Sequence, residues 1–284
     1  MRAFAASIQE VFREAAARWT LIAYFTLSSL FILIFGAAVN LDIVDGALAG
    51  AKLFGQSVDM GGGPVEIDKI VLGFESGFSG FLYLVGTFLA LFATAHLVPR
   101  LQEKGTIDLY LSRPIGRVKL LLSRYAGGLL LAAANLAYLI GTMWLIIVWK
   151  TRVLHPRFLM AGLVILFTIA ALMAFAFLIG VVTSSTGVSL MGTYAVFFFA
   201  AILVAHDKFS AAVSTETAAK VIDGLYWVLP KTAELGQATV ALVAGAEAPG
   251  RLANINHLAV FGSTALFGAA ALSLASWLFS RKDF

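Results

Sequence analysis

Four histidines, His96, His155, His206 and His257, are the side chains of this 284-residue chain best suited to hold a transition metal or relay a proton. None stands one helical turn from another, the spacing that aims two imidazoles at one ion. Each falls at the end of a long apolar stretch, which reads as interfacial placement. The acids of residues 40–77 (Asp42, Asp45, Asp59, Glu66, Asp68 and Glu75) could gather a cation, but their spacing fits no calcium loop, so a solvated acidic face is expected. Cysteine is absent, which removes thiolate catalysis, disulfides and zinc ribbons. Gly61-Gly62-Gly63-Pro64 lacks the lysine of a phosphate-cradling loop, so the chain is not expected to hydrolyse ATP by itself. With no Ser/His/Asp arrangement and no carboxylate pair, neither enzyme activity nor a bound metal or cofactor is expected of this chain.

What remains is a chain composed for lipid. It is 60% hydrophobic and 13% charged, with mean hydropathy +0.91, whereas a soluble domain is about 25% charged. Apolar windows cover residues 19–39, 78–98, 126–149, 158–182, 189–205 and 258–279. As helices they extend roughly 25–36 Å, which matches a hydrocarbon core of about 30 Å. None has a Lys, Arg, Asp or Glu in its middle. A pump that moves ions through its own helices needs such groups, so the energy for any transport is expected to come from outside the chain. The fold class is all-α: one polytopic domain over residues 1–284 with six transmembrane helices.

An even number of spans puts both termini on one side. That side holds eleven basic residues against five acidic ones, and the other holds nine against eleven. The positive-inside bias places both termini and the loop of residues 100–124 in the cytoplasm, and the residue 150–157 loop runs against it. Basic residues placed by topology, with no nucleic-acid motif beside them, give no reason to expect nucleic acid. Residues 2–18 carry Phe4, Ile8, Val11, Phe12 and Ala15 at helical spacing, an amphipathic elbow lying in the interface rather than a signal peptide. The outer segments are residues 40–77 and 206–257. The first is expected to form two short strands, at residues 57–60 and 65–68, around a glycine turn. The second carries an amphipathic helix over residues 216–228, with Glu216 and Lys220 one turn apart, halted at Pro230. Residues 241–248 are apolar but too short to span.

Within the spans, Asn135 is strongly polar; it could contact substrate or hydrogen-bond a neighbouring helix, and the second role is expected. Two small-residue stripes, Ala176/Gly180/Ser184 and Ala265/Ala269/Ser273, are expected to pack helices closely, in the bundle or across a dimer. Phe197-Phe198-Phe199 could line an apolar path, but three consecutive positions cover most of a helix, so at least one must face elsewhere.

The most informative local signal is the loop after the second span. Gly105 frees the chain, Thr106 is a good N-cap, and Asp108 sits where a helix dipole favours an acid. Ile107, Tyr110 and Leu111 share a face, and Arg113-Pro114 stops the helix. A helix of one to two turns is unstable alone, and its apolar face with charged flanks suits a soluble partner.

At these residues the chain resembles the type-2 ABC-transporter permease family, whose usual pattern is a Glu, Gly-Thr-aliphatic, further aliphatics, Ser-x-Pro and a following basic residue. Glu103, Gly105-Thr106-Ile107, Leu109, Leu111-Ser112-Arg113-Pro114 and Arg117 stand in those places. Asp108 and Tyr110 depart from a usually aliphatic pattern. The elbow, Leu229-Pro230 before the last span and the closing Arg281-Lys282 fit the family as well.

The resemblance implies a type V exporter-like permease subunit. Its coupling helix, within Glu103, Gly105, Thr106, Ile107, Asp108, Tyr110, Leu111, Arg113, Pro114 and Arg117, would seat in a separate ATP-binding subunit. Residues 183–188 would add a minor contact. Two ATP-binding subunits, carrying the ATP and magnesium, and a second permease chain would complete a transporter in the cell (inner or plasma) membrane. Export is the expected direction. A mechanical transmitter acting on an extracytoplasmic partner is the alternative reading, and a stand-alone channel or secondary carrier a more distant one.

Overall fold

A computed structural model describes residue 13 and residues 19–44, 47–53, 56–58, 67–103, 105, 116–213, 215–245 and 256–282. Among them, five helical runs are long and apolar enough to cross a membrane: Val71–Leu101, Arg117–Thr151, Arg157–Thr183, Thr186–Ala211 and His257–Arg281. A shorter apolar stretch, Ile22–Ala37, precedes them. The chain is a multi-pass membrane protein. The expected elbow lies outside the described residues, Arg13 aside.

Helix α1 (Trp19–Ala38) runs into an antiparallel sheet of β1 (Val39–Val44), β2 (Ala47–Leu53) and β3 (Gln56–Val58), with a bulge at Asp42/Ile43. The sheet is small and peripheral, and the bundle itself is helical. It also stands earlier in the chain than expected. Only Ser57 and Val58 of the first expected strand are in it, and Ile67 and Asp68 of the second open α2 (Ile67–Thr94) instead. Val71, Glu75, Ser79 and Leu82, all buried, recur at helical spacing, and that periodicity overrides the short alternation at residues 65–68.

A turn at Ala95-His96 separates α2 from α3 (Leu97–Leu101). Pro99 accounts for it: the residue has no N–H to give, and its ring crowds the carbonyl four residues back, at Ala95. The flanking bonds survive, from the Ala95 N–H to Leu91 O at 2.8 Å and from the Arg100 N–H to His96 O at 3.2 Å. The remaining helices are α4 (Arg117–Thr151), α5 (Arg157–Thr183), α6 (Thr186–Ile202), α7 (His206–Ala212), α8 (Glu216–Val228), α9 (Thr232–Ala244) and α10 (His257–Arg281).

Helix α5 is the axis of the bundle. It packs against α2, α4, α6, α9 and α10, and Phe158, Ile165, Ile169, Leu172 and Met173 are wholly buried along it. Its contact with α10 is close because Gly268 lies against the α5 backbone, where a Cβ would come within 3.0 Å of Ala171 Cα. The α10 face turned inward is thus Thr264, Gly268, Ala271 and Ala275. The stripe of Ala265, Ala269 and Ser273 faces out of this chain. The stripe on α5 does pack inside: Ser189 Oγ donates to Ala176 O, and Gly180 meets Val98 and Pro99.

Helix α1 is fastened on two sides. Phe31 and Phe35 meet Phe74, Phe78 and Phe81 of α2 at ring separations of 4.7–5.9 Å. Toward α4, Ser28 Oγ donates to Asn135 Oδ1 at 2.9 Å, the interhelical bond expected of Asn135, and Lys150 Nζ donates to Gly36 O at 2.7 Å.

Helices α8 and α9 share residues 206–257 but not their surroundings. The first is amphipathic and has no buried residue; its Lys220–Glu216 pair closes at 2.7 Å, and it ends before Pro230 as expected. The second is a 13-residue helix inside the bundle with Thr232, Leu235, Ala238, Thr239 and Val243 buried, and its end overlaps the apolar stretch at residue 241 that is too short to span.

Candidate functional site

Three polar or concave features stand out, and the loop of residues 100–124 organises the first. Its stems leave the bundle at Gln102 and re-enter at Arg117. Gln102 Nε2 donates to Gly180 O at 2.8 Å, and its Oε1 accepts from Ser184 Oγ at 3.1 Å and from Lys282 Nζ at 2.6 Å. The Lys282 ammonium donates twice more, to Val181 O at 2.7 Å and Ser184 Oγ at 2.9 Å. Its burial among these groups pushes the ammonium pKa below the ordinary lysine value. Arg117 Nη1 donates to Lys282 O at 2.7 Å and Ser280 O at 3.3 Å.

Local geometry builds this clasp. Ser184 sits in the left-handed region (φ 53°) as the C-cap of α5, its N–H bonded to Gly180 O. Ser185, extended, then caps α6. The two residues reverse the chain tightly enough to present carbonyls and a hydroxyl together.

Of the ten residues expected to dock a partner, Glu103 is exposed in a bend after α3, its N–H bonded to Arg100 O at 3.1 Å. Gly105 has φ +85°, which favours glycine, and it is exposed. Arg117 opens α4. Thr106, Ile107, Asp108, Tyr110, Leu111, Arg113 and Pro114 lie outside the described residues. Gln102 was not expected at the site, and Ser184 was expected only within the minor contact of residues 183–188. Lys282 was marked only as part of a basic pair, and no local pattern links residues 102, 184 and 282.

The second feature is a groove of about 400 Å³ between α2, α6 and α9, lined by Tyr83, Phe197, Phe198, Thr232, Gly236 and Val240 among others. Two hydrogen bonds frame it: Tyr83 OH to Thr232 O at 2.6 Å, and Thr232 Oγ1 to Phe197 O at 2.9 Å. Gly236 lets α9 approach Tyr83, since a Cβ there would stand 3.1 Å from the ring. Phe199 does not line the groove, as the three-in-a-row geometry requires.

The third feature is two buried ionisable side chains, Glu75 and Lys231, each with its own partners. Glu75, expected in a solvated loop, is wholly buried on α2. Its Oε2 lies 2.9 Å from His155 Nδ1, and His155 Nε2 lies 3.2 Å from the exposed Asp68. The imidazole stands between the two carboxylates, which prevents the three groups from converging on one ion. Lys231, 2% exposed in the break between α8 and α9, donates to Tyr226 O and lies over the Tyr226 ring. Burial lowers the Lys231 pKa to about 8, and the Glu234 carboxylate pulls the other way. Glu234 Oε1 accepts from Tyr226 OH at 2.8 Å.

His206 stacks on Tyr226 and pairs with Asp223 at 3.1 Å, so His155 and His206 serve separate partner sets. Among the described residues no group of three or more His, Asp or Glu is arranged to hold a metal ion. The family model described as ABC-2 family transporter protein matches residues 11–284. No curated protein matches the chain.

Proposed function

Because the chain belongs to the ABC-2 transporter family, and so is a membrane subunit of an ABC transporter, we propose that a separate ATP-binding subunit docks on the loop of residues 100–124 and drives export. The supporting observation is the clasp. Both stems of that loop, Gln102 and Arg117, are bonded to the ends of α5 and α10. A force applied to the loop therefore acts on packed helices rather than on a slack tether.

In this reading α1 serves as the sixth span, both termini are cytoplasmic in the cell membrane, and a second permease chain completes the path. The outward stripe of Ala265, Ala269 and Ser273 supports such a pairing, because small residues let helices approach closely. The groove at Tyr83, Phe197 and Phe198 offers an apolar wall to a lipid-like or drug-like substrate. Two ATP-binding subunits supply the nucleotide and magnesium chemistry. Their closure moves the coupling loops and alternates access to the path.

The test is a pull-down from native membranes in mild detergent, with mass spectrometry, beside a replacement of residues 105–117. A Walker-motif protein that co-purifies and disappears in the replacement supports docking at this loop. Intact chain recovered without an ATPase refutes it and returns attention to a channel or secondary carrier.

A second reading, mechanical transmission to an extracytoplasmic partner, is favoured by the sheet of β1–β3. It continues α1 without a break and touches α4, so it offers a folded handle attached to two helices. Deleting residues 39–58 would then abolish partner binding while leaving the ATPase bound.

A further inference from the structure

The ammonium of Lys282 has three protons, and each meets an acceptor: Gln102 Oε1 at 2.6 Å, Val181 O at 2.7 Å and Ser184 Oγ at 2.9 Å. These acceptors belong to the segment entering the coupling loop and to the turn that ends α5. The Lys282 carbonyl accepts from Arg117 Nη1 at 2.7 Å, on the segment leaving the loop. One residue just past α10 thus bridges both stems of the loop and the α5 end. Along the rest of its length α10 is packed on α5, with the tightest approach at Gly268.

We propose that Lys282 is a positioning residue that makes α10 follow the coupling loop, so that ATP-driven motion of the loop reaches the far end of α10 at His257. The inference rests on the docking function proposed above and adds a route to it. Without the ammonium, Gln102 keeps its bonds to Ser184 and Gly180, so the loop stays tied to α5. Helix α10 then loses its link to the entering stem and keeps only the Arg117 bonds to its main-chain carbonyls. Methionine retains the length of the stem and removes every donor. Arginine retains a cation and a planar set of donors.

The cysteine-free chain allows a direct test. Two single-cysteine versions, His257→Cys at the far end of α10 and Gly73→Cys on α2, are purified as the complex with the co-purifying ATPase in lipid nanodiscs. Both positions are exposed. Reactivity toward a water-soluble maleimide is read with and without ATP plus vanadate, normalised to ATP hydrolysed. The expected result is that both cysteines respond to nucleotide in the Lys282 background. In K282M the response at position 257 falls several-fold while that at 73 persists, and K282R restores position 257.

A general structural role would instead remove both responses together, which overturns the proposal, as does an undiminished response at 257 in K282M. An unmodified complex in which position 257 ignores ATP overturns it too. Recovery of the unmodified chain without any ATPase refutes the docking reading first and this inference with it.

Discussion

Replacing His155 with alanine should destabilise the protein at neutral pH far more than at pH 5, for a reason carried by one neighbour. Glu75 is 0% exposed, and its Oε2 has His155 Nδ1 at 2.9 Å. Both imidazole nitrogens face carboxylates, so the ring donates to both only as the imidazolium. Removing the ring strands a buried carboxylate, and breaking such pairs costs about 3–5 kcal/mol. Protonation sets the ceiling. Neutralising an ordinary glutamate, pKa about 4.3, costs about 3.7 kcal/mol at pH 7 and about 1 kcal/mol at pH 5. The loss is therefore capped lower at pH 5 than at pH 7.

For a chain of this size the pH 7 loss corresponds to roughly 5–6 °C in midpoint. Thermal unfolding followed by tryptophan fluorescence reads it, and Trp144, whose indole donates to His155 O at 3.1 Å, is a local reporter. In E75Q/H155A the pH dependence should vanish. Equal losses at pH 5 and pH 7 in His155→Ala, or a loss under about 1 kcal/mol at pH 7, would refute the reasoning.

Gly268→Ala should cost about 1–3 kcal/mol by overpacking, because its Cβ would meet the Ala171 backbone, which cannot swing aside. Gly262→Ala, in open space on the same helix, should be neutral or slightly stabilising in the same thermal assay. Ser28→Ala leaves the buried Asn135 oxygen without its partner and should cost about 0.6–1.7 kcal/mol, measured by unfolding in detergent. Lys231 loses its proton near pH 8 when folded and near 10.5 when unfolded, so the unfolded chain binds more protons in between. The midpoint should therefore rise from pH 8 to pH 10, and Lys231→Met should flatten that rise.

The helical bundle was legible because apolar runs of about 20 residues have few other fates. The helix ends were not. Windows that stop at charges begin the third span at residue 126, whereas α4 starts at Arg117 and carries Arg117, Lys119 and a buried Arg124 in its first turns. Glu75 is missed for the same reason: hydropathy scores a carboxylate as solvent-facing, and only its helical phase with Val71 and Ser79 marks it as inward. Helix α9 is too short and too polar, with Glu234 and Gln237, to register as membrane-embedded; neighbouring helices bury it instead. The clasp joins residues up to 180 positions apart, and its partners are carbonyls, a hydroxyl and an amide. No periodicity or motif can anticipate such contacts, because only the finished packing of α5 against α10 brings them together.

The 35 residues of α4 have a mechanical meaning. At 1.5 Å per residue the helix is about 52 Å long, some 20 Å longer than the hydrocarbon it crosses. One end is the returning stem of the loop, and the other lies beside β1 and the approach to His155. A rod of that length pivoting by about 5° at its base carries its tip about 4–5 Å. Displacements too small to disturb a packed interface at one face of the membrane thus become shifts of a side chain's width at the other.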